Sequence, residues 1–182
     1  MPEVRIRPAQ PADAQAIHDL VVGLAVYEKE PDAVEGGPED FAAALFCDTP
    51  QVFCQVAEVR EVAGDQSRAD AGGGGGAGAG TWEVAGIAIW YVTFSTWKVR
   101  HGLWLEDLFV TPERRGLGLG RLLLEELAGI CVERGYPRFE WWVLDWNTPA
   151  HGFYRSLGAV PQDEWTVWRT DGEALVTLSR RR

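Results

Sequence analysis

The sequence predicts an α/β (α+β) fold: a mixed central β-sheet of about six to seven strands flanked by about four helices, in a single domain. Three observations carry that expectation. The chain has 182 residues, 46% hydrophobic and 24% charged, which suits one packed core and argues against disorder. Segments rich in β-branched and aromatic residues recur between turn residues. The second half sets a strand, a glycine turn, a helix and another strand in succession, a β-α-β unit.

Taken in order, Val4-Arg5-Ile6-Arg7 alternates apolar and polar residues and reads as a first strand, with Pro8 and Pro11 as punctuation. From Ala14 to Tyr27 the residues Ile17, Leu20, Val21, Leu24 and Ala25 recur at helical spacing. A loop from Pro31 to Pro38 leads to a short helix, Glu39 to Phe46, whose apolar residues are Phe41, Leu45 and Phe46. Val52 to Val59 and Val84 to Phe94 are strands by composition. Between them the run Gly72-Gly73-Gly74-Gly75-Gly76-Ala77-Gly78-Ala79-Gly80 has no side chains with which to build a core. The expectation is a flexible glycine-rich hairpin loop at about 62–81, not a domain linker, because the residues before it hold only two strands.

A strand from Gly102 to Val110 and a helix from Leu119 to Arg134 follow, the helix burying Leu123, Leu124, Leu127, Ile130 and Cys131. Gly135 suits its C-terminal cap and Pro137 blocks its continuation into the next strand, Arg138 to Leu144. Thr148 as N-cap and Pro149 at the first helical position open a helix to Leu157, stopped by Gly158. Trp165 to Arg169 and Ala174 to Leu178 read as two final strands around an Asp171-Gly172 turn.

Charge and cysteine content exclude several functions. With 27 acidic against 17 basic residues, net charge −10, the surface disfavours nucleic acid and attracts cationic small molecules. No apolar run approaches the roughly 20 residues that span a bilayer, and Met-Pro-Glu-Val-Arg-Ile-Arg is not a basic-then-apolar leader, so no membrane partner is expected. Cys47, Cys54 and Cys131 are odd in number without a Cys-x-x-Cys pair, and read as reduced, mostly buried thiols of a cytoplasmic protein. His18, His101 and His151 lack metal-ligand spacing, so no metal is expected. Trp90, Trp104 and Trp141-Trp142 read as core or interface area.

The chemistry concentrates at Arg114-Arg115-Gly116-Leu117-Gly118-Leu119-Gly120, between a strand and a helix. Glycines there let backbone N–H groups approach an anion that the helix N-terminus also attracts, and a pyrophosphate is the natural ligand. No Gly-Lys-Ser/Thr follows, which excludes a Walker loop, and the unit stands too late in the chain for a dinucleotide fold.

Arg115-x-x-Gly118-x-Gly120, after the strand Glu106-Asp107-Leu108-Phe109-Val110, resembles the acetyl-CoA pyrophosphate loop of the GNAT superfamily of N-acetyltransferases, and Ile6-Arg7-Pro8-Ala9 resembles their first strand. Tyr27-Glu28, Ser95-Thr96-Trp97-Lys98, Leu105-Glu106-Asp107, Val143-Leu144-Asp145-Trp146-Asn147 and Phe153-Tyr154-Arg155-Ser156-Leu157-Gly158-Ala159 are similar to its diamine acetyltransferase branch, which acetylates spermidine, spermine or thialysine. The resemblance spans nearly the whole chain except about 61–82.

The resemblance implies a GNAT fold and direct acetyl transfer from acetyl-CoA, as cosubstrate, to the primary amine of a small cationic molecule, with no metal and no acyl-enzyme. An amine of pKa near 10.4 is protonated at neutral pH, and removing that proton costs roughly 4 to 5 kcal/mol. Glu106 is implied to assist its removal through water, Asp107 to help set the cationic pocket, and Tyr154 to act as general acid toward the thiolate. On an alternating strand Glu106 and Asp107 point to opposite faces. Backbone amides of Leu108, Phe109 and Val110 are implied to polarise the thioester, and Arg115, Gly116, Leu117, Gly118, Leu119, Gly120 and Arg121 to hold the pyrophosphate. Asn147 is implied to bond pantetheine or hold its helix. Tyr27, Glu28 and Trp165 match substrate-facing positions, and the branch pairs two chains as a homodimer. Two other functions stay open: a protein or peptide N-acetyltransferase, and a non-catalytic acyl-CoA-binding sensor.

Overall fold

The computed structural model describes residues 1–62 and 80–180. Of the glycine-rich loop expected at about 62–81, residues 63–79 lie outside the described residues. The chain forms two compact units, Met1–Trp142 and Val143–Arg182.

In the first unit five strands, β1 (Glu3–Pro8), β2 (Val52–Arg60), β3 (Glu83–Ser95), β4 (Arg100–Val110) and β5 (Phe139–Trp141), form one sheet in sequential order. The first four run antiparallel to their neighbours, and β5 lies parallel to β4. The sheet is therefore mixed, as expected, and β2 and β3 meet as a hairpin with Val59 opposite Glu83. Helices α1 (Ala14–Tyr27) and α2 (Pro38–Leu45) pack on one face, where Ile17, Leu20, Leu45, Cys54, Val56, Ile87, Ile89 and Phe109 form a buried cluster. The other face takes α3 (Leu119–Glu133), which buries Leu119, Leu123, Leu124, Leu127 and Cys131, while Ile130 is half-buried. Arg134, just past α3, sets its guanidinium 5.5 Å from the Trp90 ring on that face.

The first strand is pinned by charge. Arg7 donates from Nη1 and Nη2 to the two Asp13 oxygens at 2.6 and 2.9 Å, and from Nη2 to Glu58 Oε1 at 2.8 Å. Both carboxylates are buried, and hydrogen bonding to Arg7 holds them below the ordinary carboxylate range.

The second unit contains α4 (Thr148–Ser156) and α5 (Gly172–Ser179). Here the sequence expectations need correction. Asn147, not Thr148, caps α4: its Oδ1 accepts from Ala150 N at 3.4 Å, and Pro149 is the second helical residue. The strand expected over Arg138 to Leu144 is limited to Phe139–Trp141. Trp165 to Arg169 adopts no regular element, and Ala174 to Leu178 is helical, so five strands stand among the described residues where about six to seven were expected. Asp171-Gly172, expected as a hairpin turn, is the N-cap and first residue of α5. A strand leaves its backbone groups to a neighbouring strand, and among the described residues none pairs with 143–180. A helix satisfies its own, and Glu173, Ala174 and Leu175 favour it.

Candidate active site

The site begins where two strands part. Parallel pairing of β4 with β5 covers Leu103 with Phe139, Trp104 with Glu140 and Leu105 with Trp141, then stops. β4 continues to Val110 with β3 on its other side. Thr111 N donates to Ala85 O at 2.9 Å, so Thr111 faces β3. Backbone alternation then turns the groups of Val110 and Leu108 to the open side and those of Phe109 toward β3. Arg115 Nε reaches Val110 O at 3.3 Å, consistent with that assignment. Phe109 contributes its ring, which packs against α1 beside Gly23.

A second irregularity lies just beyond the last pair. Ile89 stands opposite Asp107 and Trp90 opposite Leu105, which leaves Glu106 as the extra residue of a β-bulge. This corrects the expectation that Glu106 and Asp107 point to opposite faces. Asp107 shares the face of Ile89, the one that packs on α1. Trp104, opposite Tyr91 on the same face, donates from Nε1 to Glu106 Oε2 at 3.0 Å. The bulge cancels one step of alternation, so both carboxylates stand side by side.

Their electrostatics follow. Burial, then the neighbouring charges of Glu106 and Glu28, pushes Asp107 up to about 6. Burial also raises Glu28, which follows α1. Tyr91 is raised by burial and by Glu106. Three carboxylates from β4 and the end of α1 thus lie close enough to make one patch of negative potential. The Arg115 guanidinium lies 5.0 Å from the Tyr27 ring and 5.8 Å from that of Phe109.

The glycine turn connects this fork to α3. Gly116 and Gly118 have φ of 84° and 79°, the left-handed region that glycine enters without strain. A Cβ at either would meet nothing within 4 Å, so the backbone is open to an approaching group. Gly118 is the N-cap, and the first amides of the fifteen-residue α3 have no intrahelical acceptor. This donor set, at the positive end of a helix dipole, fits a pyrophosphate. Arg114 is engaged elsewhere, donating to Glu61 at 2.6 Å and Glu83 at 3.0 Å, and Arg121 pairs with Glu125 at 2.7 Å.

The structure thus gathers Tyr27, Glu28, Glu106, Asp107, Leu108, Phe109, Val110 and 115–121 within the first unit. Asn147, Tyr154 and Trp165 belong to the second. Tyr154 lies on α4, half-buried, its ring 5.2 Å from Phe153, and Trp165 is exposed. Among the described residues no cluster of His, Cys, Asp and Glu has the makings of a metal site. Trp104 was read from the sequence only as core or interface area. Its contact with Glu106 has a sequence signal, because residues two apart on a strand share a face.

The glycine cradle, the parted strands and the paired carboxylates are the features that a transferase with a pyrophosphate-bearing cosubstrate requires. A family model described as acetyltransferase (GNAT) family matches residues 40–159, and the chain belongs to that family. It is 34% identical to thialysine N-epsilon-acetyltransferase of Bos taurus, over 97% of each chain. It is 27% identical to L-ornithine N5-acetyltransferase of Arabidopsis thaliana, over 97% of this chain and 88% of that one. An integron cassette protein from the mobile metagenome of V. cholerae shares the fold, with a TM-score of 0.72 at 24% identity and 98% coverage of both chains. The protein is an N-acetyltransferase.

Proposed function

We propose that this enzyme moves an acetyl group from acetyl-CoA directly to the primary amine of a small cationic substrate of polyamine, diamine or thialysine type. One observation carries the reading: Glu106 and Asp107 stand on one face at the fork, with Glu28 near enough to raise Asp107. Such a pocket attracts an ammonium and offers a place for its proton. The relatives named for thialysine and L-ornithine act on amines of this kind.

The amides of 116–121 and the Arg115 side chain would hold the pyrophosphate, and the open-side amides of Leu108 and Val110 the pantetheine and thioester, with Asn147 assisting. Acetyl-CoA supplies the activated acyl group. Tyr27, Glu28, Asp107 and Trp165 orient the amine, while Glu106 takes its proton through a water. The amine nitrogen bonds the acetyl carbon, the carbon–sulfur bond breaks as Tyr154 gives its hydroxyl proton to the departing sulfur, and the second proton lost from the nitrogen restores the Tyr154 hydroxyl through water. No metal takes part.

We place the protein in the cytoplasm, as its three free cysteines favour, and pair it as a homodimer. Exposed Val160, Val167, Trp168, Leu175 and Leu178 in the second unit support an apolar partner surface.

Thiol release from acetyl-CoA against spermidine, spermine, putrescine, thialysine, lysine and an aminoglycoside tests the reaction. Turnover on one amine, lowered about 10²-fold by Tyr154→Phe, is the expected result. Acetyl-CoA binding without turnover on any amine would direct attention to protein substrates and then to a sensor.

A further inference from the structure

Glu106 is exposed, sits on a bulge and has no partner across the β3–β4 ladder. A glutamate side chain in that setting has several rotamers of similar energy, yet proton transfer requires one position. Among the described residues its one hydrogen-bond donor is the Trp104 indole, at 3.0 Å. An indole N–H only donates, so the contact serves Oε2 as an acceptor and leaves Oε1 to face a water or an ammonium. Trp104 is itself braced. The Trp142 ring meets it edge to face at 4.9 Å and 83°, and the Tyr91 ring lies 6.3 Å away on its cross-strand partner. Trp142 follows Trp141, the last paired residue of β5, so the brace stands where the strands part.

We infer that Trp104 is a positioning residue for the acetyl transfer: its indole N–H fixes the Glu106 carboxylate at the fork, and Trp142 holds the indole. The inference rests on the proposed proton-accepting role of Glu106. Packing alone would be served by any aromatic ring at 104, whereas positioning needs the N–H.

The test is Trp104→Phe, alone and combined with Glu106→Gln, in the full chain with the best amine of the panel. Trp104→Phe lowers kcat about tenfold, leaves the KM for acetyl-CoA unchanged, and adds no further loss in the Glu106→Gln background. In ¹⁵N-tryptophan spectra the indole signal absent from Trp104→Phe moves in Glu106→Gln, while that of Trp90, on the other face of the sheet, stays. A fully active Trp104→Phe enzyme, losses that multiply in the double variant, or an unmoved indole signal would each overturn the inference. A fully active Glu106→Gln enzyme would remove the role of Glu106 and the inference with it. An impaired Glu106→Gln beside a normal Trp104→Phe would overturn the inference alone.

Discussion

Asp107→Asn is expected to make the protein more stable while impairing its catalysis. In the native fold Asp107 is raised from its ordinary 3.8 to about 6, by burial first and then by Glu106 and Glu28. A rise of that size corresponds to about 3 kcal/mol against the ionised form. The group is half-buried, so screening by water leaves about 1 to 2 kcal/mol. Because the folded value lies above the unfolded one, the protonated group's contribution is complete below about pH 4 and is lost as pH rises through about 6. At about pH 8 the ionised carboxylate is therefore at its most unfavourable, and a neutral amide of the same shape relieves it. Thermal unfolding of the two proteins at several pH values reads this out. Asp107→Asn should melt roughly 2 to 8 °C higher at about pH 8, with the gap closing toward about pH 4. Equal melting temperatures at all pH values, or a less stable variant at about pH 8, would refute the electrostatic account.

Three further substitutions probe the turn, the helix after it and the first strand. Gly118→Ala forces an alanine into the left-handed region at φ 79°, and should cost about 1 to 2 kcal/mol in urea unfolding and raise the KM for acetyl-CoA. Gly129→Ala, inside α3 with open space around it, should be neutral or stabilising by up to about 1 kcal/mol. Arg7→Met removes the guanidinium from two buried carboxylates and should destabilise by about 3 kcal/mol at neutral pH. Because Asp13 and Glu58 are held low by Arg7, that loss should shrink as denaturation is followed into acid, below about pH 4.

The elements with a clear period were legible in the sequence. The helix over Ala14–Tyr27 was placed at its observed ends, because its apolar stripe is bounded by prolines on one side and a Glu-Lys-Glu run on the other. The glycine turn was legible because its spacing demands a backbone that other residues resist. The bulge was not. Leu105-Glu106-Asp107 looks like ordinary alternation, and which residue slips is decided by pairing with β3, many residues away in the chain. The last two strands were misread because Ala174-Leu175-Val176 is apolar without alternating, a pattern that a short helix accommodates as well as a strand. Glu106 and Asp107 could be named as a pair, but their common face arises only from the three-dimensional register. Trp104 and Glu106 show i, i+2 spacing in the sequence, but a strand tryptophan signals bulk before it signals a hydrogen bond.

The clasp of Arg114 with Glu61 and Glu83 ties the ends of β2 and β3 to the start of the glycine turn. Strand register at that end follows from the antiparallel ladder, and the clasp adds an exposed electrostatic tie to it. The hairpin end of the sheet is therefore coupled to the glycine turn through a single solvent-accessible guanidinium, a link that high ionic strength would loosen before it touched the buried core.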